Sequence, residues 1–226
     1  MIWVLGLSLL AAGLYWLLVT TEGVYLGRRV VVWLYDLTAA RYDRIKQFDE
    51  EEERYFLARP LLQALVGRPA PRLLDVATGT GRLPLCLLHE PTFNGRIVGL
   101  DASRRMLGVA LGKLRPFGRR ASLVLHPAAP LPFANASFDC VTCLEALEFF
   151  PSDEAALREM VRVLRPGGLL LVTRRRGRPA RAFVGRYRSA AGFTALLQRV
   201  GLVEVMTTPW QVDYEQVYAR RPAGSG

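Results

Sequence analysis

The chain has 226 residues, of which 51% are hydrophobic, and its formal net charge at pH 7 is +10. That length suits one domain with an appendage, and the apolar content is ample for a core. Three cysteines are too few for a disulfide scaffold, which excludes that class of small secreted protein.

The first predicted element is an apolar helix at the N-terminus. Residues 2–21 contain no charged side chain, and the run is about long enough to cross the hydrocarbon core of a membrane. A cleaved signal peptide would need basic residues before the run and a small-x-small site after it, and both are lacking. With Arg28 and Arg29 behind it, we expect a single-pass anchor at 1–21 that leaves the rest in the cytoplasm. A helix buried in an oligomer is the alternative.

Residues 22–66 are predicted to form a helical linker between this anchor and the main domain, which we place at 67–226. The apolar stretch 30–35 follows two arginines, so it suits either the membrane interface or packing on the domain. The acidic run 49–53 is typical of a solvated helix face.

A strand, a tight glycine loop and a helix follow in Leu73-Leu-Asp-Val-Ala-Thr-Gly-Thr-Gly-Arg-Leu-Pro-Leu85. This geometry holds a nucleoside-containing cofactor against the backbone of the loop. A second strand ends in Asp101, where a carboxylate can accept hydrogen bonds from both ribose hydroxyls. Pro84 occupies the position of the third glycine of a dinucleotide fingerprint, which argues against a nicotinamide-dependent oxidoreductase.

From Arg72 onward, strands and helices alternate, which predicts a parallel sheet covered on both faces. The last two strands lack an intervening helix, so the final one is expected to run antiparallel. Pro166-Gly-Gly168 is predicted to form the turn before the fifth strand. Predicted strands cover 72–77, 96–100, 122–126, 138–143, 168–174, 202–207 and 215–220, and predicted helices cover 82–89, 103–113, 152–164 and 190–200.

Cys140 and Cys143 have C-x-x-C spacing, but in a strand their side chains point to opposite faces. With only two histidines in the chain, we expect no metal site.

The basic charge is concentrated at the C-terminal end, where residues 172–226 carry 10 basic and 3 acidic side chains. Most of the arginines lie at 174–188, after the fifth strand and on the ligand edge of the sheet. This segment could attract an anionic acceptor, anionic lipid headgroups or RNA, or it could reflect an arginine-rich composition. The apolar anchor favours the membrane over nucleic acid.

Four motifs in order resemble the class I S-adenosylmethionine-dependent methyltransferases, within the group that includes ubiquinone/menaquinone methyltransferases. The resemblance runs from about Tyr35 to Arg220. It is carried by Leu73–Gly81, Gly99-Leu-Asp-Ala-Ser103, Leu131-Pro-Phe133 with Ser137-Phe-Asp-Cys-Val141, and Leu157–Val172. It implies a Rossmann-like α/β fold with a seven-stranded, mostly parallel sheet and S-adenosylmethionine as cofactor.

The resemblance also implies roles for individual residues. Asp75 and the loop 77–81 would hold the methionine end of the cofactor, Asp101 the ribose, and Ala102 with Met106 the adenine. The implied cofactor-binding set is Asp75, Ala77, Thr78, Gly79, Gly81, Asp101, Ala102, Met106, Ala128 and Leu144. Asp75 could instead be a strand-end residue that bonds the loop. Many relatives have an aspartate where this chain has Pro127, so the acceptor for the adenine amino group is missing. His126 beside it is either a pocket group or an incidental polar residue.

Glu145, with Glu148 behind it, is the candidate active-site carboxylate, and Tyr42 is a second candidate catalytic residue that would lie in the pocket. Each could equally be a solvated or packing residue. The resulting hypothesis is methyl transfer to a small lipophilic acceptor at the membrane, such as a quinone precursor or lipid. A catalytically silent scaffold with this fold and an RNA methyltransferase are the alternatives.

Overall fold

The computed structural model describes residues 2–224, and its first element is an apolar helix. Helix α1 (Ile2–Tyr15) continues through one π-helical turn at Trp16–Thr20. Residues Trp3–Thr20 have a mean hydropathy of 1.8, and none of this stretch is buried against the rest of the protein. By length and composition the helix could cross a membrane.

Short helices connect α1 to the main domain: α2 (Arg28–Thr38), α3 (Tyr42–Lys46), α4 (Glu50–Glu53) and α5 (Arg59–Ala64). Asp49 caps α4, because its side chain accepts hydrogen bonds from the backbone N–H groups of Glu51 and Glu52. The acidic run is only partly solvated, since Glu53 is buried. A π-helical turn at Arg54–Ala58 joins α4 to α5.

Seven strands form one sheet with the order β3-β2-β1-β4-β5-β7-β6. Strands β1 to β5 pair in parallel, and β7 runs antiparallel to both neighbours. The predicted Rossmann-like α/β fold and the antiparallel final strand are therefore confirmed. The strands are β1 (Arg72–Val76), β2 (Arg96–Asp101), β3 (Ala121–Leu125), β4 (Phe138–Cys143), β5 (Leu164–Arg175), β6 (Val203–Pro209) and β7 (Tyr214–Arg220).

Helices cover both faces of this sheet, each over a buried apolar cluster. One cluster joins the strands to α8 (Asp153–Val163) and α10 (Ala190–Arg199). The short helix α9 (Gly177–Arg181) lies between these two in the chain. The other cluster joins the strands to α5, α6 (Arg82–His89) and α7 (Arg104–Leu114). Cys143 belongs to the first cluster and Cys140 to the second, so the two thiols lie on opposite faces. Burial raises the pKa of both thiols, which suits packing rather than redox chemistry.

The Pro166-Gly-Gly168 segment differs from its prediction as a turn, because it lies inside β5. Leu164 pairs with Phe138 and Leu169 with Cys140, so β5 has three extra residues between these two pairs. Gly167 adopts a positive φ of 67°, and its N–H donates to the carbonyl of Arg221. The residue that follows β7 thus satisfies the backbone N–H of Gly167 in the irregular segment, a long-range contact that sequence patterns do not reveal.

The order of the strands reverses between β1 and β4, and this point positions the site. The loops that follow β1, β2 and β4 leave the sheet at the same edge. Crevices at such an edge are where doubly wound sheets bind ligands.

Candidate active site

The loop after β1 is a tight turn that exposes backbone to a cavity. Ala77, Gly79 and Gly81 all have positive φ, and the N–H of Thr78 donates to the carbonyl of Leu100, which ties the loop to β2. A Cβ built on Gly79 would meet no atom within 4 Å, so this backbone is open to a ligand. A Cβ on Gly81 would lie 3.1 Å from the Cβ of Ala110, so this glycine serves close packing of α6 on α7.

Asp101 organises the loops at the end of β2. Its carboxylate accepts hydrogen bonds from the N–H groups of Gly79 and Ser103, each at 2.8 Å. Burial raises the pKa of Asp101, and these backbone bonds oppose the rise. Each carboxylate oxygen has a second lone pair, so Asp101 can still accept from a diol in the cavity that it lines.

The side chain of Asp75 is buried beneath the glycine loop and does not line the cavity that Asp101 lines. The hydroxyls of Thr78 and Thr142 donate to its two oxygens at 2.7 and 2.6 Å. Only 3% of Asp75 is exposed, and burial raises its pKa to about 6 although both hydroxyl bonds lower it. Asp75 therefore holds the loop in shape and reaches only a smaller cavity beside it.

A cavity of about 240 Å³ lies at this edge of the sheet, and most predicted site residues line it. Asp75 and Thr78 line the adjoining cavity of about 50 Å³, and Gly81 lines neither. The predicted residues on the larger cavity are Tyr42, Ala77, Gly79, Asp101, Ala102, Met106, Ala128, Leu144 and Glu145.

Helix α2 forms a mostly apolar roof over the cavity of about 240 Å³. Arg28, Val31, Val32 and Tyr35 line the cavity from this helix, and Phe149 lines it as well. The Tyr35 hydroxyl donates to Glu22 Oε2 at 2.7 Å, which fixes its ring 6.0 Å from that of Phe149. Because α2 begins only a short turn after the apolar helix ends at Thr20, the roof is tethered to that helix.

One end of the cavity lacks a carboxylate, as Pro127 predicted. His126, Pro127 and Ala128 line this end together with Ala102 and Met106. The N–H of His126 donates to the carbonyl of Asp101, and its Nδ1 lies 3.0 Å from the carbonyl of Pro127. In place of the aspartate side chain that many relatives have at position 127, this segment offers backbone carbonyls as hydrogen-bond acceptors.

Glu145 is a buried ion-pair partner and not a solvated loop residue. Its carboxylate accepts from Arg82 Nη2 at 2.8 Å and from Lys46 Nζ at 3.2 Å. Burial would raise the pKa of Glu145, but the two cations outweigh it and lower the pKa. Glu145 thus stays ionised and is a weak base, which suits binding of a positively charged group better than proton abstraction.

Tyr42 lines both cavities, with its ring 5.8 Å from that of Tyr35. Burial, followed by the charge of Glu145, raises the pKa of Tyr42. Its phenol therefore stays protonated and can donate a hydrogen bond to a ligand.

Arg82 is the residue that sequence reasoning missed. Its guanidinium stacks 4.2 Å from the ring of Phe48 and pairs with Glu53 at 3.5 Å as well as with Glu145. Its Nη1 is buried with no hydrogen-bond partner among the described residues, and its side chain lines the smaller cavity. The available signal was a basic residue at the first position of a helix, where the helix dipole disfavours positive charge.

Glu148 does not line the cavity of about 240 Å³ beside the glycine loop. It accepts from the Tyr214 hydroxyl at 2.5 Å and lies 3.5 Å from Arg175 Nη1. Burial is the main cause that raises its pKa. Glu148 faces a second cavity, which the arginine-rich segment encloses.

Three of the seven arginines in the 174–188 segment pair with carboxylates, and two more donate to backbone carbonyls. Arg174 pairs with Glu215 at 2.5 Å, and Arg188 donates to Asp153 Oδ1 at 2.8 Å. Arg178 and Arg181 are exposed. The segment is therefore less free to bind a polyanion than its composition suggests. No cluster of three metal-ligating side chains occurs within residues 2–224.

Residues 74–172 match the family described as "Methyltransferase domain". Ubiquinone/menaquinone biosynthesis C-methyltransferase UbiE of Shewanella frigidimarina is 35% identical over 145 residues, which cover 63% of this chain and 58% of that protein. The same enzyme of Shewanella oneidensis has equal identity and coverage. The chain thus spans under two thirds of the length of these relatives.

Solved structures with the same fold include the [4+2]-cyclase SpnF. It has a TM-score of 0.71 at 19% identity, covering 86% of this chain and 96% of that one. An S-adenosylmethionine-dependent methyltransferase from Aquifex aeolicus has a TM-score of 0.65 at 18% identity, covering 82% and 98%. At such identities the likeness concerns the fold.

Proposed function

We propose that this chain transfers a methyl group from S-adenosylmethionine to a small lipophilic acceptor at a membrane. The match of residues 74–172 to a methyltransferase-domain family and the similarity to the UbiE enzymes support this proposal. One observation supports this most: the cavity between the glycine loop and Asp101 is roofed by an apolar helix that is tethered to α1.

The donors and acceptors of the two cavities fit the parts of S-adenosylmethionine. Asp101 would accept from the ribose hydroxyls beside the bare backbone of Gly79, with Ala102, Met106 and Ala128 against the adenine. In the smaller cavity, the unpartnered Nη1 of Arg82 suits the carboxylate of the methionine end, and Glu145 suits its ammonium. Ala77, Thr78 and Leu144 would flank that end.

The chemistry needs little from the protein beyond positioning. When bound, the cofactor supplies an electrophilic methyl group on its sulfonium. The chain's own residues would orient the acceptor in line with that methyl group and exclude water. Tyr42, as a protonated phenol, would donate a hydrogen bond to an acceptor oxygen, and the walls of Val31, Val32 and Phe149 would hold an apolar body.

Membrane anchoring by α1 explains how a lipophilic acceptor reaches the cavity. The helix exposes an uncharged surface that has no partner among the described residues, as expected for a lipid-facing segment. Arg28 and Arg29 follow it, which by the positive-inside rule leaves the catalytic domain in the cytoplasm. A quinone precursor or a lipid is the acceptor class that suits this placement, as the names of the UbiE relatives suggest.

Calorimetry with S-adenosylhomocysteine on the detergent-solubilised full chain tests the cofactor assignment. We expect binding that is lost in Asp101→Ala and in Gly79→Arg, whose side chain would fill the open space at the loop. Glu51→Gln, on the exposed face of α4, is the matched control and should bind like the wild type. The absence of binding heat in the wild-type protein would refute the cofactor assignment.

A catalytically silent protein with this fold is the second candidate. Pro127 removes an acidic acceptor at the adenine end, which supports this candidate. Cofactor binding without turnover on any membrane extract would favour this candidate. RNA is a weaker acceptor candidate because five of the seven arginines at 174–188 already bond to carboxylates or backbone carbonyls of the chain.

A further inference from the structure

A second cavity, of about 320 Å³, adjoins the proposed methyl-transfer site and shares the lining residues Phe150, Pro151 and Ser152 with it. The arginine-rich segment after β5 encloses it, and the N-terminal end of α8 at Ser152 and Asp153 forms part of its wall. Four arginines line it, Arg174, Arg175, Arg186 and Arg188, against the carboxylates of Glu148 and Asp153. This lining would disfavour a cationic or purely apolar ligand.

Three of the four arginines form ion pairs with carboxylates of the protein, and Arg186 does not. Arg174 pairs with Glu215, Arg188 with Asp153, and Arg175 more loosely with Glu148 at 3.5 Å. Within residues 2–224, Arg186 has no carboxylate in ion-pair range. Its Nη1 donates to the carbonyls of Phe150 at 2.5 Å and Glu148 at 3.2 Å, whereas Nε and Nη2 have no protein acceptor there. The cavity therefore offers one uncompensated guanidinium, held in place by backbone.

Arg175, which lines the same cavity as Arg186, adds a buried hydrogen-bond donor without a partner among the described residues. Arg175 Nε is buried and makes no hydrogen bond among the described residues. The Arg175 guanidinium stacks 4.7 Å from the ring of Phe183, which fixes it in the cavity wall. Two planar guanidinium groups beside one cavity match the oxygens of a phosphate, because arginine binds phosphate with paired hydrogen bonds.

The cavity lies at the foot of α1. Tyr25 lines it, stacks on Trp16 with ring centres 5.1 Å apart, and donates its hydroxyl to the carbonyl of Val184. Trp16 belongs to the apolar stretch Trp3–Thr20, so the cavity is one aromatic ring away from the helix that would cross the membrane. In a bilayer the phosphates lie immediately outside the hydrocarbon core. With the apolar helix across that core, the cavity lies at the depth of the phosphates.

The rim of the cavity is apolar and exposed, unlike its floor. Val184 is 67% exposed, and the rings of Tyr25 and Tyr187 are partly exposed at the same mouth. A free phosphate would use the arginines alone, whereas a phospholipid would also cover this rim with the start of its acyl chains. Apolar surface beside basic residues is typical of lipid-interface contacts.

We propose that this second cavity binds the phosphodiester headgroup of an anionic phospholipid, with Arg186 as the principal contact. This inference rests on the proposed anchoring of α1 in a membrane. A single uncompensated positive charge matches the single negative charge of the phosphodiester in phosphatidylglycerol. The bound lipid would fix the orientation of the catalytic domain against the bilayer.

Electron spin resonance with spin-labelled lipids tests this on the full chain in phosphatidylcholine vesicles. Labelled phosphatidylglycerol should associate with the wild type about tenfold more strongly than labelled phosphatidylcholine, which corresponds to about 1.4 kcal/mol. Arg186→Gln should remove this preference, and Arg186→Lys should keep part of it because the charge remains. Arg178→Gln is the matched control: it removes an exposed charge from the same segment and should keep the preference.

Two results would overturn the proposal. Equal loss in Arg178→Gln and Arg186→Gln would mean diffuse electrostatic attraction, and displacement of the labelled lipid by equimolar inorganic phosphate would mean a free-phosphate site. Binding of S-adenosylhomocysteine is measured on the same samples. Retained binding in Arg186→Gln shows that the variant is folded and separates failure of the lipid site from failure of the cofactor assignment.

Discussion

At the scale of single residues, the site depends on buried carboxylates whose roles differ by their partners. Asp75 is bonded by two hydroxyls and no cation, so burial decides its pKa. Glu145 has two cations, so they decide its pKa. One is thus easily protonated and the other stays charged, although both are largely withdrawn from solvent.

Asp75→Asn should change how stability depends on pH in the cofactor-free protein. The pKa of Asp75 is about 6 in the folded state and about 4 in the unfolded state, so ionisation between these values destabilises the fold. The wild type loses stability as pH rises through this window, and the variant lacks that loss. We expect the free energy of unfolding of Asp75→Asn minus that of the wild type to rise by about 2 kcal/mol between pH 4 and 6 and to level off above.

Urea denaturation across pH measures this difference, and Glu51→Gln serves as a carboxylate control that stays flat. A difference that falls with increasing pH would mean that Asp75 is stabilised in its charged form.

Replacing Arg82 should destabilise the fold, because its guanidinium pairs with the buried carboxylates of Glu53 and Glu145. Arg82→Met leaves Glu53 without a cation and Glu145 with Lys46 alone, so we expect a loss of about 3–5 kcal/mol in unfolding free energy. Adding Glu53→Gln should recover part of it, with a coupling of about 0.5–3 kcal/mol. Arg59→Met, which removes a mostly exposed partner of Glu90, is the control and should change stability little. Strict additivity of the two substitutions would contradict the ion-pair account.

Sequence reasoning found residues whose role follows from local position. Asp101 ends a strand and Gly79 sits in a turn, so the chain order alone places both on the ligand edge of the sheet. It does not place the partners of Glu145, because Lys46 and Arg82 are 99 and 63 residues away and meet it only through the fold. The packing role of Gly81 was missed for the same reason, since it depends on Ala110 of another helix.

At the scale of elements, strands and helices of the sheet were predictable because their apolar periodicity is strong. The structure differs from the sequence-based predictions where contacts between residues far apart in the chain outweigh the local sequence pattern. Pro166-Gly-Gly168 reads as a turn, yet Arg221, just after β7, exchanges backbone hydrogen bonds with Gly167 and Gly168 and the segment lies within β5. Glu53 belongs to an acidic run that reads as solvated, yet Arg82 draws it inside. The division of the chain at residues 21 and 66 stays a prediction.

Helix α1 allows a direct test of the proposed anchor. Leu10 lies near its middle and is 60% exposed, so its replacement disturbs no packing within the described residues. An arginine at the centre of a spanning helix costs about 2.5–3.5 kcal/mol on insertion scales. We therefore expect Leu10→Arg to shift the protein from carbonate-resistant membranes toward the soluble or aggregated fraction, whereas Leu10→Phe stays in the membrane. Equal fractionation of both variants would contradict a spanning role.

At the scale of the whole molecule, a short series of contacts connects the apolar helix to the cavity at the edge of the sheet. The apolar helix leads through Glu22 and Tyr35 to the roof of the larger cavity, and the glycine loop and Asp101 form its floor. The second cavity lies beside the foot of the same helix. The fold and the resemblance to methyltransferases were accessible from motifs, but this arrangement requires contacts between residues far apart in the chain.

Transfer of labelled methyl groups in membranes that contain this protein tests the central claim most directly. Membranes with the wild-type chain are incubated with methyl-labelled S-adenosylmethionine, and lipid-extractable, RNA and protein fractions are counted against Asp101→Ala membranes. We expect label in the lipid-extractable fraction of the wild type only. Label in RNA or protein alone, or equal labelling with Asp101→Ala, would contradict methyl transfer to a lipophilic acceptor.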